Sequence, residues 1–553
     1  MNRILTTIVI LGLFIMNRCE SKFADKIFVN GTIIDADGSQ LSGDAVAVTK
    51  WKIVKVGDQA DLVPICGKKT EIIDLKGAFL YPGFSDAHLH VEGVGKNLLN
   101  LNLVGTISIQ DVQQRLKDFL VKNPDLYWIQ GSGWDQNDWS TTAFPNHSDL
   151  DASADERPIA LERIDGHALW VNAKALALAG ITKETPDPEG GKILKDNAGN
   201  PTGVLIDNAM NLVWKQFPPD SPKQRTKYLL AALEHFASLG LTEVHDAGAD
   251  ETTLSIYKKL ERAGRLPIRV YAMAYGGDII NFMKKHKPVA TDNNPFLTIR
   301  AIKLFADGAL GSRGAYLFEP YSDDPENVGL LTIPEKDLNE IAETAKATGY
   351  QVATHAIGDS ANRLVLNVYE KILGENTAKY RWRIEHAQVL APSDIPRFGK
   401  LGIIASMQPT HATSDMPWAA ARLGAKRVRG AYAPKSVWDG GAIVPGGSDA
   451  PVESANPLLG FYAVITRQDI NGKPTGGWMP KQILDRSDAL KMFTELPAYA
   501  AFQEKIKGRL EPGFVADFTI LDKNLMTVPA KEILQTTVVM TVVGGEVKYR
   551  ATE

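Results

Sequence analysis

The segment Pro82-Gly-Phe-Ser-Asp86-Ala-His88-Leu-His90 reads as a short apolar strand that ends in two histidines. In an extended chain, residues i and i+2 face the same way. The imidazoles of His88 and His90 can therefore grip one metal ion, and imidazole is a good donor for zinc, iron and nickel among others. Taken alone, His-x-His also describes two surface or packing histidines. Pro82-Gly83-Phe84 marks a bend into this strand from the β-rich stretch before it.

Working outward, apolar strand-like runs alternate with helix-length segments, a pattern of parallel α/β architecture. Eight candidate strands centre on Phe79–Phe84, Thr242–His245, Arg269–Ala274, Thr298–Leu304, Gln351–Thr354, Trp382–Ile384, Ile403–Met407 and Ala442–Pro445. Several end in polar residues: His88 and His90, Asp246, Lys303, His355, His386 and Asp449. In a (β/α)8 barrel the active site gathers at the C-terminal ends of the strands. The fold expected is thus α/β, a TIM barrel over residues 81–505. The chain between the first two strands is far longer than a βα loop needs. An inserted subdomain is expected over about 101–230, rich in Trp, Gly, Asp and Pro as in Gly131-Ser-Gly-Trp-Asp135.

The two ends of the chain resemble each other. Lys26-Ile-Phe-Val-Asn-Gly31, Ala45-Val-Ala-Val48 and Lys52-Ile-Val-Lys-Val-Gly57 are short β runs with turns. So are Gly513–Leu521 and Val538–Gly545. Residues 22–80 and 506–553 are expected to pair as one small β-sandwich. Residues 1–21 read as a signal peptide: a basic start at Arg3, an uncharged apolar run from Ile4 to Met16, then polar residues. That run is shorter than a membrane span, so export to the periplasm, cell envelope or medium is expected. Cys19 is an alternative lipid-attachment site, although Arg18 fits that pattern poorly. Cys66, with no obvious partner, reads as a small buried apolar residue.

Composition excludes some classes. At 553 residues, 44% hydrophobic and 23% charged, the chain is globular, and its net charge of -4 gives no field for nucleic acid. A small-molecule substrate is expected, with homo-oligomerisation open. Thr354-His355-Ala356, Glu385-His386-Ala387 and Gly446-Gly-Ser-Asp449 each place a ligand-type residue at a strand end. Four of ten histidines then converge with one aspartate at the barrel mouth.

With these motifs the chain resembles the amidohydrolase superfamily, and within it the amidohydrolase-3 branch that includes N-substituted formamide deformylases. The similarity extends to Asp165-Gly-His-Ala-Leu-Trp-Val-Asn172, Gly240–Gly248, Lys303-Leu-Phe-Ala-Asp-Gly308 and Arg383-Ile-Glu-His-Ala-Gln388. The resemblance implies one or two divalent ions, zinc by expectation. His88, His90 and Asp449 would hold the first and His355 and His386 the second. Lys303 would bridge them as a carbamate formed with CO2. An unmodified ammonium has donors only and cannot ligate a cation; the alternative for Lys303 is an ion pair with Asp307 or another carboxylate.

The implied reaction is hydrolysis of a carbon–nitrogen bond other than a peptide bond, in a linear amide or N-substituted formamide. The resemblance implies that the ions would supply an activated water as nucleophile and that Asp449 would move the proton. Cyclic amide or ester hydrolysis, deamination, or noncatalytic binding on the same fold are the alternatives. His167, Trp134 and His411 are candidate substrate contacts. His245 and Asp246 are expected to support the barrel mouth.

Overall fold

The computed structural model describes residues 23–552 except 142, 154–155, 165, 189, 291–293 and 375–376. The segment read as a signal peptide, with Cys19, lies outside the described residues. Among the described residues no helix is long and apolar enough to cross a membrane.

Seven parallel strands form the central sheet, and each neighbours the next in sequence. They are β1 (Phe84–Leu89), β2 (Leu241–Ala249), β3 (Arg269–Ala274), β4 (Leu297–Phe305), β5 (Gln351–Ala356), β6 (Arg383–His386) and β7 (Ile404–Ser406). Nearly every residue in them is buried, which is why they read as continuous apolar runs rather than alternating ones. Helices cover the outside. Asp359–Leu373 turns Val365, Leu366, Tyr369 and Ile372 inward, and Glu335–Thr348 stops at Gly349, whose φ of 83° suits a left-handed helix end.

The sheet is a nearly closed, TIM-like barrel. The expected eighth strand at Ala442–Pro445 is not a regular strand, because Pro445 and two glycines interrupt it. The segment nonetheless spans the gap between β7 and β1. Ala405 and Met407 N–H groups donate to the Ile443 and Pro445 carbonyls, and Ala87 N–H donates to Gly446. Gly447 must be glycine here: a Cβ would lie 2.6 Å from the His88 nitrogen. The expected first strand also needs correction. Phe79–Pro82 belongs to a different sheet, and the barrel strand begins only at Phe84, after the Gly83 bend.

Two further sheets use the chain ends. One orders Lys52–Gly57, Ala45–Thr49, Lys26–Val29 and Glu71–Asp74; the other orders Thr32–Ile33, Phe79–Pro82, Phe518–Leu521, Val538–Val543 and Glu546–Arg550. Phe28, Val46, Leu80, Phe518 and Val542 share one apolar cluster between them. Cys66 is exposed, not buried, at the end of the short turn Val63–Ile65. Between β1 and β2 lies a six-stranded sheet from Leu101–Asn102 to Pro201–Asp207. The helix Pro222–Ser238, which begins within the range expected for the insert, packs Leu229, Leu233 and Phe236 into the barrel core.

A buried ion pair fastens the barrel to the terminal sheet. Arg269 on β3 meets Asp517 with two nitrogens at 2.6 and 2.9 Å, and Asp517 also accepts from the Gly544 nitrogen at 2.7 Å. Both side chains are almost fully buried. Asp517→Ala should therefore cost about 3–5 kcal/mol, because it strands a guanidinium in the interior. Denaturant unfolding should also find much of that loss restored in the paired Arg269→Met, Asp517→Leu protein.

Candidate metal centre

The strand ends bring the expected ligand residues into one cluster. His88 Nε2 lies 3.5 Å and His90 Nε2 3.2 Å from Asp449 Oδ1. The His88 and His386 rings are 4.9 Å apart, and those of His355 and His386 4.5 Å. Lys303 Nζ sits 3.4 Å from His88 Nε2. Lys303 does not pair with Asp307. That carboxylate instead accepts from the Tyr316, Ile357 and Gly358 nitrogens and pins the loops after β4 and β5.

Two sets of ligand atoms lie within 4.8 Å of one another: His88, His90 and Asp449, and His386, His411 and Asp449. His411 thus joins the cluster, its ring stacked on His386 at 6.0 Å. His355 Nε2 faces Asp307 Oδ1 at 3.4 Å. Neither His355 Nε2 nor His411 Nε2 makes a hydrogen bond, although both atoms are buried. Buried imidazole nitrogens left without a hydrogen bond are costly. Together with a carboxylate at their centre they form a donor set that suits a divalent cation.

The histidines are held from behind. His88 Nδ1–H donates to Glu385 Oε2 at 2.5 Å, and His386 Nδ1–H donates to Gln408 Oε1 at 2.8 Å. Each contact leaves Nε2 free to face the cluster, as outer partners of metal-binding histidines do. Glu385 is in turn gripped by Arg383, whose Nε and Nη2 lie 2.7 and 3.0 Å from its two oxygens. Asp86 accepts from the His88 and Ser448 nitrogens and so ties β1 to the Asp449 segment. Asp246 performs a similar task, accepting from the Val91 nitrogen and from the Tyr257 hydroxyl. Glu385, Arg383, Gln408 and Asp86 were missed as separate site residues; the signal for Glu385 and Arg383 was their i, i+2 spacing on a strand beside His386.

Backbone conformation concentrates at this place. His386, Ala387 and Asp449 have φ of 73°, 43° and 59°. Non-glycine residues in the left-handed region carry strain, and such residues cluster at working sites. The turn at His386 has a visible result: Glu385 and His386, adjacent on the chain, both reach His88.

Electrostatics follow burial. Burial pushes the Lys303 amine down to about 8, against the pull of Glu385 and Asp449. Burial alone would raise the Asp449 carboxyl, but the imidazoles of His88 and His90 hold it well below the usual carboxylate range. Burial, then the neighbouring His355, holds His386 in its neutral form.

The cluster opens into a pocket of about 340 Å3 whose walls include Phe305, Leu310, Asp415, Trp418 and Glu453. Two expected substrate contacts stand elsewhere. Trp134 is fully buried in the insert's own core against Trp139 and Trp170, with Nε1–H donating to the Leu161 carbonyl. His167 has a side chain 74% exposed, paired with Asp207 at 2.7 Å. Neither lines this pocket.

Comparison with known proteins agrees with this architecture. The amidohydrolase family model Amidohydro_3 matches residues 71–549. YtcJ of Bacillus subtilis is 35% identical over 486 residues, covering 87% of this chain and 91% of that protein. The N-substituted formamide deformylase of Arthrobacter pascens is 24% identical, covering 96% and 99%. The crystal structure of an uncharacterized metal-dependent hydrolase from Pyrococcus furiosus superposes with a TM-score of 0.76 at 29% identity, covering 91% of this chain and all of the other. By the extent of the family match and the identity to these relatives, the chain belongs to the amidohydrolase family.

Proposed function

We propose that this protein hydrolyses carbon–nitrogen bonds other than peptide bonds, in linear amides or N-substituted formamides, with divalent metal held at the strand ends. One observation carries the reading. The imidazoles of His88, His90, His386 and His411 converge with Asp449 and Lys303 in a cluster that opens into a pocket large enough for a small organic substrate. His88, His90 and Asp449 would hold one ion. His386, with His355 or His411, would hold a second, and zinc suits the imidazole-rich set. Bound there, the ions would supply a water of lowered pKa and a Lewis acid for the carbonyl oxygen. Lys303 fits the bridging role only as a carbamate, and carbamate formation needs the neutral amine that its burial favours.

The chain's own groups supply the rest. Asp449 stands between the two halves of the cluster, with Oδ1 toward His88 and His90 and Oδ2 3.8 Å from His411 Nε2. In this reading it would accept a proton from the attacking water and pass it to the leaving nitrogen. Glu385 and Gln408 fix the His88 and His386 rings so that those nitrogens do not turn away. Phe305, Leu310 and Trp418 give the acyl or amine substituent an apolar wall. Asp415 and Glu453 on the same wall disfavour an anionic substituent, so acylated amines suit the pocket better than acylated amino acids.

A panel of N-formyl and N-acyl amines, with cyclic amides and esters beside it, tests the reading on metal-loaded protein. Turnover of the linear amides is expected. Hydrolysis confined to the cyclic compounds would move the assignment to that branch of the chemistry, and a fully metallated protein inert to all of them would make it a binding protein. Lys303→Ala should lose most metal and activity, with partial rescue by short carboxylates; unchanged metal by elemental analysis would exclude Lys303 as a ligand. Asp449→Asn keeps the shape and one oxygen, so it should retain most metal and its melting temperature while turnover falls by ~10² or more. Near-parental turnover would assign the proton transfer to another group.

A further inference from the structure

Arg467 is a buried cation with no ionic partner among the described residues; its guanidinium lies 5.4 Å from the Trp478 ring centroid, a cation–π contact that brings no net negative charge. It follows the helix Pro457–Thr466 and is 1% exposed. Its Nε–H donates to the Trp478 carbonyl at 3.1 Å. Its Nη2 is buried without a partner. Among the described residues no carboxylate forms an ion pair with it, and the hydroxyl of Tyr432, which lines the same cavity, donates to Asp415 at 2.6 Å. A buried guanidinium, which stays protonated, is expensive unless paired. The residue is also held at a φ of 56°, where glycine or asparagine would sit more easily. Both local conformation and solvation thus argue against arginine at this position unless something compensates.

The compensating space is present. Arg467 lines a cavity of about 20 Å3 together with Gln388, Tyr432, Pro434 and the rings of His386 and His411. That volume admits one water-sized particle. It is too small for a substrate carboxylate. The helix end supplies only a fraction of a negative charge, and a water would satisfy Nη2 without offsetting the cation.

We propose that the cavity beside Arg467 binds one small monovalent anion of halide size, chloride being the common form. His386, Gln388 and His411 belong to the walls of both this cavity and the 340 Å3 pocket. An anion there lies behind two imidazoles whose other faces meet the cation site, so it favours cation binding in front of them. Linkage makes the effect reciprocal: chloride tightens metal retention, and metal tightens chloride.

Bromide is the probe. Crystals of the metal-loaded protein soaked in sodium bromide should give an anomalous peak within hydrogen-bond reach of Arg467 Nη2. In solution, chloride or bromide should raise the melting temperature of that protein by about 2 °C or more over gluconate at equal ionic strength. The same halides should slow metal release to a chelator, and Arg467→Met should remove both anion-specific effects. If that variant does not fold, the bromide map of the parent decides. A cavity without an anomalous peak, or equal stability and metal release in all three salts, would mean that it holds water, and the proposal would fall.

Discussion

The carboxylate of Glu385 is wholly buried inside the barrel, and a charge in that position has to be matched from all sides. Arg383 grips it from its own strand, and His88 reaches it from β1, 297 residues away in the chain. Arg383 extends the arrangement to the Ala87 carbonyl, the Ser406 hydroxyl and His245. One ionic group therefore fixes the relative rotation of β1, β2, β6 and β7. The histidines at the tops of those strands inherit their positions from it, and the cluster is preorganised by charge rather than by loop packing.

Much of this was legible in the sequence, and the reasons are physical. Strands β2 to β7 are buried on both faces, so their apolar runs stand out against the amphipathic helices between them. His88, Lys303, His355 and His386 were recognisable because polar residues that end such runs have few other uses. The closing segment was less legible. Its backbone bonds to both neighbours, yet Pro445 and the glycines deny it a strand's pattern. Phe79–Pro82 looked like part of β1 because only the Gly83 bend separates two runs of similar composition.

Side-chain direction was the harder inference. Period-two alternation places His386 opposite Glu385, and only a left-handed φ at His386 allows both to face inward. No residue-type preference announces that turn. The insert misled in another way. A tryptophan in a glycine-rich segment suits a pocket wall as well as a core, and Trp134 is core because its neighbours Trp139 and Trp170 surround it. His411 followed no strand pattern, and its place beside His386 depends on how the short helix Pro409–Asp415 leaves β7.

The sheet that joins the two chain ends sets an order of events during synthesis. Phe79–Pro82 emerges before the barrel strands, but one of its sheet partners, Phe518–Leu521, is made only after all of them. Arg269 likewise waits 248 residues for Asp517. While the barrel strands are being made in sequence, an apolar edge and an unpaired cation remain uncovered on the nascent chain. Such edges are where premature association begins. The long interval between the two halves of that sheet makes the growing chain, more than the finished molecule, the state that needs protection.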